Sequence, residues 1–140
     1  IRNLIELHEI PLLNVIVDED GVGGGVMDQV GCKGFVNNSS PLNGENFENL
    51  KTQCCYKLAE IVNASLMYAG IKDIDIIARL IEELEQIKQR DMDKDGKKKI
   101  VSKDKVKEIL GRSPDVSDMV MMRMYFEIKK VKKELDIFVG

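Results

Sequence analysis

The chain has 140 residues, of which 44% are hydrophobic, and its formal net charge is −3 at pH 7. This length and apolar content predict one compact domain and exclude a second large one. The net negative charge argues against binding of nucleic acid by bulk electrostatics, although an acidic chain can still carry a local basic surface. Three cysteines and one histidine lack the spacing of a disulfide framework or a zinc site, which predicts a reducing compartment. No apolar run is long enough to span a membrane and no signal-peptide pattern is present, so we expect no membrane partner and a cytoplasmic protein.

The first part of the chain alternates helical and strand patterns. Residues 1–9 predict a short helix, and the apolar run LLNVIVD at 12–18 predicts a strand buried on both faces of a parallel sheet. The glycines at 21–25 predict a turn into a helix over 22–31, and GFVN at 34–37 predicts another strand. This order is an α/β pattern.

The remainder of the chain is mainly helical. Apolar residues at helical spacing predict a long helix from Phe47 to Met67 and another from Asp73 to Lys88. A short strand near KKKIV at 97–101 precedes a helix with Ser102 as its N-cap. For the last helix we predict Ser113 as the N-cap and Pro114 as the first helical residue.

The first group of candidate functional residues is an acidic run at the end of the first predicted strand. Asp18 ends that strand, and Glu19 and Asp20 follow it. Functional groups collect at the carboxyl ends of strands in α/β sheets, and adjacent acids repel one another unless a cation or solvent screens them. A divalent metal ion is one interpretation of this run, and a solvated acidic loop is the other.

The second group lies on the last predicted helix. Helical spacing places Asp115, Asp118 and Met122 on nearly the same face, so two carboxylates share a stripe with bulky residues. Because an unpaired buried charge is costly, such a carboxylate needs a basic partner, a proton, exposure at a cleft rim or a metal ion. The metal ion gains weight for Asp118, whereas Asp115 fits equally well as a first-turn acid that favours the helix dipole.

Four segments, taken in order, resemble the C-terminal nuclease domain of terminase large subunits from tailed phages or prophages. They are VDEDGVGGGVMDQV, GFVNNSSPL, NLKTQCCYKLAE and GRSPDVSDMVMMRMYFE. The resemblance implies an α/β fold in which a ribonuclease H-like sheet, also similar to resolvases and integrases, is flanked by helices. In that family three acidic clusters bind two Mg²⁺ or Mn²⁺ ions, and the domain cuts double-stranded concatemeric DNA during packaging. By motif position, Asp18 is the second acid, Asp118 the third and Asp115 a supporting ligand, so these are the predicted catalytic and metal-binding residues.

The resemblance also implies contacts and partners. Lys51 and Arg123 are candidate contacts to the DNA phosphates, and Asn37 and Asn38 follow a strand end where a DNA strand would approach. Each also fits an ordinary role, as a solvated lysine, a surface ion pair or a turn. The implied partners are double-stranded DNA, the terminase small subunit and the portal protein, in the cytoplasm of a bacterial host cell.

The family pattern is incomplete in this chain. From the resemblance, we expect the first catalytic aspartate of the family to lie on a strand upstream of Ile1 and the amino-terminal packaging ATPase domain to lie outside residues 1–140. We therefore expect residues 1–140 to be a partial nuclease-like domain from a longer protein, lacking its first strands. An exposed sheet edge would then favour a homodimer of the fragment. The sequence does not decide whether this chain is active without the upstream acid.

Two other functions stay open. One is that of a non-catalytic DNA-packaging or interaction fragment, which is consistent with the absence of the first catalytic aspartate from residues 1–140. DMDKDGKKK at 91–99 copies the opening of an EF-hand calcium loop, but Lys98 and Ser102 occupy the positions of the usual apolar residue and bidentate glutamate. A charged turn before a strand explains this segment better.

Overall fold

A computed structural model describes the backbone of residues 1–20, 23–90 and 96–137 and the side chains of residues 1–20, 25–90 and 96–129. The chain divides into two compact units, an N-terminal unit (Ile1–Ser39) and a C-terminal unit (Ser40–Gly140). Helices and strands occur in both, as the sequence predicts.

The N-terminal unit is built around one pair of parallel strands joined by a helix. Its elements in order are α1 (Arg2–Leu7), a 3-10 helix (Leu12–Asn14), β1 (Ile16–Asp18), α2 (Gly23–Val30) and β2 (Lys33–Phe35). The parallel pairing sets Ile16 opposite Lys33 and Asp18 opposite Phe35. The parallel pairing agrees with the predicted α/β pattern, and both strands end at the same edge of the sheet.

The first strand differs from its prediction in length and burial. Residues 12–14 form a 3-10 helix, so the strand covers only Ile16–Asp18, and all three of its residues are half-buried. The expected burial on both faces is wrong, because among the described residues β1 has one neighbouring strand, whereas a central strand of a large parallel sheet has neighbours on both sides.

The C-terminal unit consists of helices and a short antiparallel strand pair. Its elements in order are a 3-10 helix (Leu42–Gly44), α3 (Leu50–Asn63), α4 (Ile74–Leu84), β3 (Gln89–Arg90), β4 (Lys99–Ile100), α5 (Lys103–Leu110) and α6 (Asp115–Ile137). β3 and β4 pair through Gln89 with Ile100 and Arg90 with Lys99. The strand predicted near residues 97–101 is thus present.

Side-chain caps mark where α3, α4 and α5 begin. Asn49 accepts a hydrogen bond from the Thr52 backbone N–H at 2.9 Å, so α3 begins at Leu50 and not at Phe47. Ser102 accepts from the Lys105 N–H at 3.3 Å, which confirms it as the N-cap of α5. The last helix begins at Asp115, one residue later than predicted, so Ser113 is not its N-cap.

The core of the C-terminal unit lies where α6 packs on α3 and α4. Its apolar side chains include Cys54, Leu58, Leu80, Met121, Met124, Tyr125 and Ile128. Asp118 is half-buried at the margin of the buried face of α6, which runs through Ser117, Met121 and Tyr125. No helix within residues 1–20, 23–90 and 96–137 is long and apolar enough to cross a membrane.

Candidate functional site

Two carboxylates and an amide converge where the parallel strands of the N-terminal unit end. Asp18 Oδ1 accepts hydrogen bonds from Asn37 Nδ2 at 3.2 Å and from the Asp20 backbone N–H at 3.1 Å. Asp20 Oδ2 accepts from both the backbone N–H and Nδ2 of Asn37, at 2.9 and 2.8 Å. The structure therefore brings together three residues that the sequence singled out, because β1 and β2 are parallel and their carboxyl ends meet.

Glu19 points away from this cluster. Its backbone N–H donates to the Phe35 carbonyl at 3.0 Å, which extends the strand pairing by one residue. Successive side chains of an extended chain face opposite sides of the sheet, so the Glu19 carboxylate lies on the other side, next to Gly34. A Cβ at position 34 would collide with that carboxylate and lie 2.8 Å from Met27 Sδ, so Gly34 gives Glu19 room to pack.

In the C-terminal unit, Asp118 binds two lysines. Lys51 Nζ of α3 lies 2.7 Å from Asp118 Oδ1, and Lys103 Nζ of α5 lies 2.7 Å from Oδ2. Burial alone would raise the pKa of Asp118, but the charges of Lys51 and Lys103 and their hydrogen bonds outweigh it and hold that pKa below its usual value. Asp118 is therefore ionised at neutral pH, and the three charges sum to a local excess of one positive charge.

Three further predicted residues lie on α6 and after β2. Asp115 is exposed in the first turn of α6, the position of an acid that favours the helix dipole. Arg123, on the same helix, is half-exposed and forms an ion pair with Glu127 one turn later, at 2.7 Å. Asn38 is an exposed residue after β2. Within the C-terminal unit, Lys51 is thus the predicted DNA contact that pairs with Asp118.

Two side chains that contact Asp118 or its neighbour Ser117 were missed in the sequence. Lys103 follows the N-cap of α5, and no local pattern distinguishes it from the other lysines nearby. Glu83 carries a signal, since it lies at helical spacing from Ile76 and Leu80 on the apolar side of α4 and is fully buried. An acid at such a position predicts a buried partner.

The two carboxylates of the N-terminal unit suit a hard divalent cation, whereas both oxygens of Asp118 in the C-terminal unit are paired with lysines. Mg²⁺ is usually held by one or two carboxylates, with water and phosphate oxygens completing its shell. Asp18 and Asp20 supply two carboxylates in the N-terminal unit, and Asp118 supplies one ionised carboxylate in the C-terminal unit. Among the side chains that the structure describes, no three Asp, Glu, His or Cys residues are placed to share one ion. The calcium-loop interpretation depends on residues 91–95, which lie outside the described residues.

The cysteines of α3 do not extend this donor set. Cys54 and Cys55 are buried, and burial raises the pKa of each thiol to about 12. Because the thiolate is the form that binds metal ions, these side chains serve as core packing at neutral pH.

Solved structures of one viral protein resemble this chain. The nuclease domain of the large terminase subunit of bacterial virus Sf6 is 25% identical, with a TM-score of 0.64, and the match covers 78% of this chain and 63% of that chain. A lysine-to-alanine variant of that domain with manganese is 24% identical, with a TM-score of 0.64, over 78% of this chain and 64% of that chain. A lysine-to-alanine variant from the same subunit with calcium is 24% identical, with the same TM-score of 0.64, over 78% of this chain and 63% of that chain.

These matches extend over most of this chain but less than two thirds of each solved structure. No protein-family model matches the sequence, and no curated protein matches it. The resemblance found in the sequence is nevertheless confirmed at the level of structure: the structural neighbours of this chain are nuclease domains of a phage large terminase subunit.

Proposed function

We propose that this chain is a metal-dependent endonuclease domain of a phage DNA-packaging terminase, which cuts double-stranded concatemeric DNA. The observation that carries the proposal is the structural likeness to terminase nuclease domains, one of them with manganese. We further propose that residues 1–140 act as one partial nuclease domain of the ribonuclease H-like class, despite their division into two units.

The carboxylates have separate roles in this proposal. Asp18 and Asp118 would hold Mg²⁺ or Mn²⁺, with Asp115 as a supporting ligand. The hydrogen bonds between Asn37 and both Asp18 and Asp20 support Asp20 as a further ligand, because Asn37 fixes the two carboxylates side by side. When bound, two ions would activate a water for in-line attack on a phosphodiester and stabilise the leaving oxygen.

Basic residues would hold the DNA backbone. Lys51 and Lys103 exceed the charge of Asp118 by one, which suits a neighbouring phosphate. The half-exposed ion pair of Arg123 with Glu127 contributes little stability, so exchanging it for a phosphate contact costs little. Asn37 and Asn38 border the acidic cluster of the N-terminal unit.

Partners and location follow from the same proposal. The domain would act on double-stranded DNA in the bacterial cytoplasm, with the terminase small subunit and the portal protein as partners. A homodimer of the fragment is part of the proposal, and light scattering during size-exclusion chromatography tests it; a strict monomer at high concentration would exclude it.

A non-catalytic packaging or interaction fragment is the second candidate. It is favoured by one observation: within the described side chains, no three metal-binding residues are placed to share an ion. This candidate predicts that the chain leaves DNA uncut even with abundant Mn²⁺.

The deciding experiment combines Mn²⁺ binding by calorimetry with cleavage of plasmid DNA. We expect Asp18→Asn and Asp118→Asn each to lose Mn²⁺ affinity and Mn²⁺-dependent cleavage. Asp28→Asn is the matched control, since it removes an exposed acid of α2 outside the cluster. Circular dichroism would verify that each variant is folded.

The possible results separate the candidates. Cleavage that persists in folded Asp118→Asn would contradict the nuclease proposal for this residue. Mn²⁺ binding without cleavage in the unmodified chain would favour the non-catalytic fragment.

A further inference from the structure

A buried carboxylate on α4 holds the first turn of α6. The Glu83 side chain is fully buried, and its Oε2 accepts a hydrogen bond from the Ser117 backbone N–H at 2.7 Å. Ser117 lies in the first turn of α6, where backbone N–H groups have no acceptor within the helix. Glu83 therefore acts as an N-cap supplied by another helix.

The residue at the start of α6 explains why the cap comes from elsewhere. Pro114 precedes the helix and has no side-chain acceptor, while its carbonyl accepts from the Asp118 N–H at 2.9 Å and from Ser117 Oγ at 3.2 Å. Ser, Thr, Asp or Asn usually provides the capping oxygen from within the sequence. Here Glu83, 34 residues away, provides it.

Arginine side chains balance the buried charge of Glu83. Arg112 Nη1 donates to Glu83 Oε1, and Arg112 Nη2 donates to Glu82. Arg79 Nη2 lies 3.9 Å from Glu83 Oε1. A buried carboxylate is retained when it is paired and hydrogen-bonded, and the positive end of the α6 dipole adds to its stabilisation.

The capped turn is the one that carries Asp118. Ser117 and Asp118 are neighbours, and the Asp118 carboxylate meets Lys51 of α3 and Lys103 of α5 at 2.7 Å each. A shift of the first turn of α6 would move Asp118 relative to both lysines. We propose that Glu83 is a positioning residue that orients Asp118; its consequence for metal binding rests on the nuclease function proposed above.

The experiment compares three variants of the 140-residue chain. Glu83→Ala removes the cap, and Glu83→Gln keeps an oxygen that accepts from the Ser117 N–H. Glu82→Gln is the matched control, because Glu82 is exposed and also pairs with Arg112. The first readout, measured by NMR, is the rate at which the ammonium protons of Lys51 and Lys103 exchange with water. The second is Mn²⁺ affinity by calorimetry.

We expect Glu83→Ala to raise both ammonium exchange rates towards that of exposed Lys107. Its Mn²⁺ affinity should fall roughly 10- to 100-fold, as for other residues that orient a metal ligand. Glu83→Gln should restore most of both properties, and Glu82→Gln should match the unmodified chain. A residue that contributes only to stability would leave both readouts unchanged in folded protein.

A second variant keeps the test valid if the first variant unfolds. If Glu83→Ala does not fold, Glu83→Met combined with Arg112→Met removes the cap together with its half-buried ion-pair partner. A folded capless variant with unchanged lysine exchange and Mn²⁺ affinity would overturn the positioning role. If the unmodified chain binds no Mn²⁺, the proposed function fails, while the lysine exchange rates still judge whether Glu83 positions Asp118.

Discussion

At the scale of single residues, Asp118 shows how neighbours decide the charge of a half-buried acid. Burial works against its ionised form, and Lys51 and Lys103 more than compensate for it. The sequence predicted that a carboxylate at this position needs a basic partner, a proton, a cleft or a metal ion. In the structure two basic partners are present. Their net positive charge is compatible with binding of a phosphate, or with displacement of one lysine when another ligand binds.

The first prediction concerns the stability that this ion pair provides. Because the pKa of Asp118 is lower in the folded chain, the pair stabilises the fold above the unfolded aspartate pKa of about 3.9. That contribution is lost as the pH falls through the folded pKa. We expect Asp118→Asn to reduce the free energy of unfolding by about 1–3 kcal/mol near neutral pH. The difference should shrink in acid.

Urea unfolding of both proteins across this pH range measures the effect. Asp104→Asn, which changes an exposed acid of α5, is the control and should alter stability little. A difference between Asp118→Asn and the unmodified chain that stays constant down to the acid limit would contradict the pKa assignment.

At the scale of elements, some helices begin where a neighbouring residue caps them, and others begin where a tertiary contact does. Asn49 caps α3 and Ser102 caps α5 from within their own segments, so both starts depend on a few neighbouring residues, although of these two caps only that of Ser102 was predicted from the sequence. The start of α6 cannot, because its capping oxygen belongs to Glu83 of α4. The local pattern at Ser113 and Pro114 predicted a cap that the structure does not use.

The second prediction tests the cap of α3. Asn49→Ala removes the acceptor of the Thr52 N–H, so we expect a loss of about 1 kcal/mol in the free energy of unfolding. Asn63→Ala, at the exposed last residue of the same helix, is the matched control and should cost less. If chemical denaturation shows the same loss in free energy of unfolding for both variants, the cap hydrogen bond is not what stabilises the start of α3.

At the scale of the whole molecule, the candidate acids are divided between the two units. Asp18 and Asp20 lie in the N-terminal unit, and Asp115 and Asp118 lie in the C-terminal unit. If the chain works as one nuclease domain, acids from both units serve the same reaction. Residues that act together in one catalytic step have effects that do not add.

The third prediction follows from that proposal. We expect the double variant, with Asp18→Asn and Asp118→Asn, to cleave plasmid DNA no more slowly than the slower of the two single variants. The reason is that either substitution alone disables the shared step. Cleavage rates with Mn²⁺ measure this. Losses that multiply in the double variant would indicate two independent sites and would contradict a single domain function.

The sequence by itself determined the features that depend on neighbouring residues. It predicted the mixed helix and strand order, a strand ending in Asp18, the cap at Ser102 and the likeness to terminase nucleases, because periodicity, capping and motif order are local properties. Only the tertiary structure decided that Lys103 joins Lys51 at Asp118, that Asn37 binds Asp18 and Asp20, and that Glu83 caps α6. These contacts join residues far apart in the chain, and packing alone brings them within hydrogen-bonding distance.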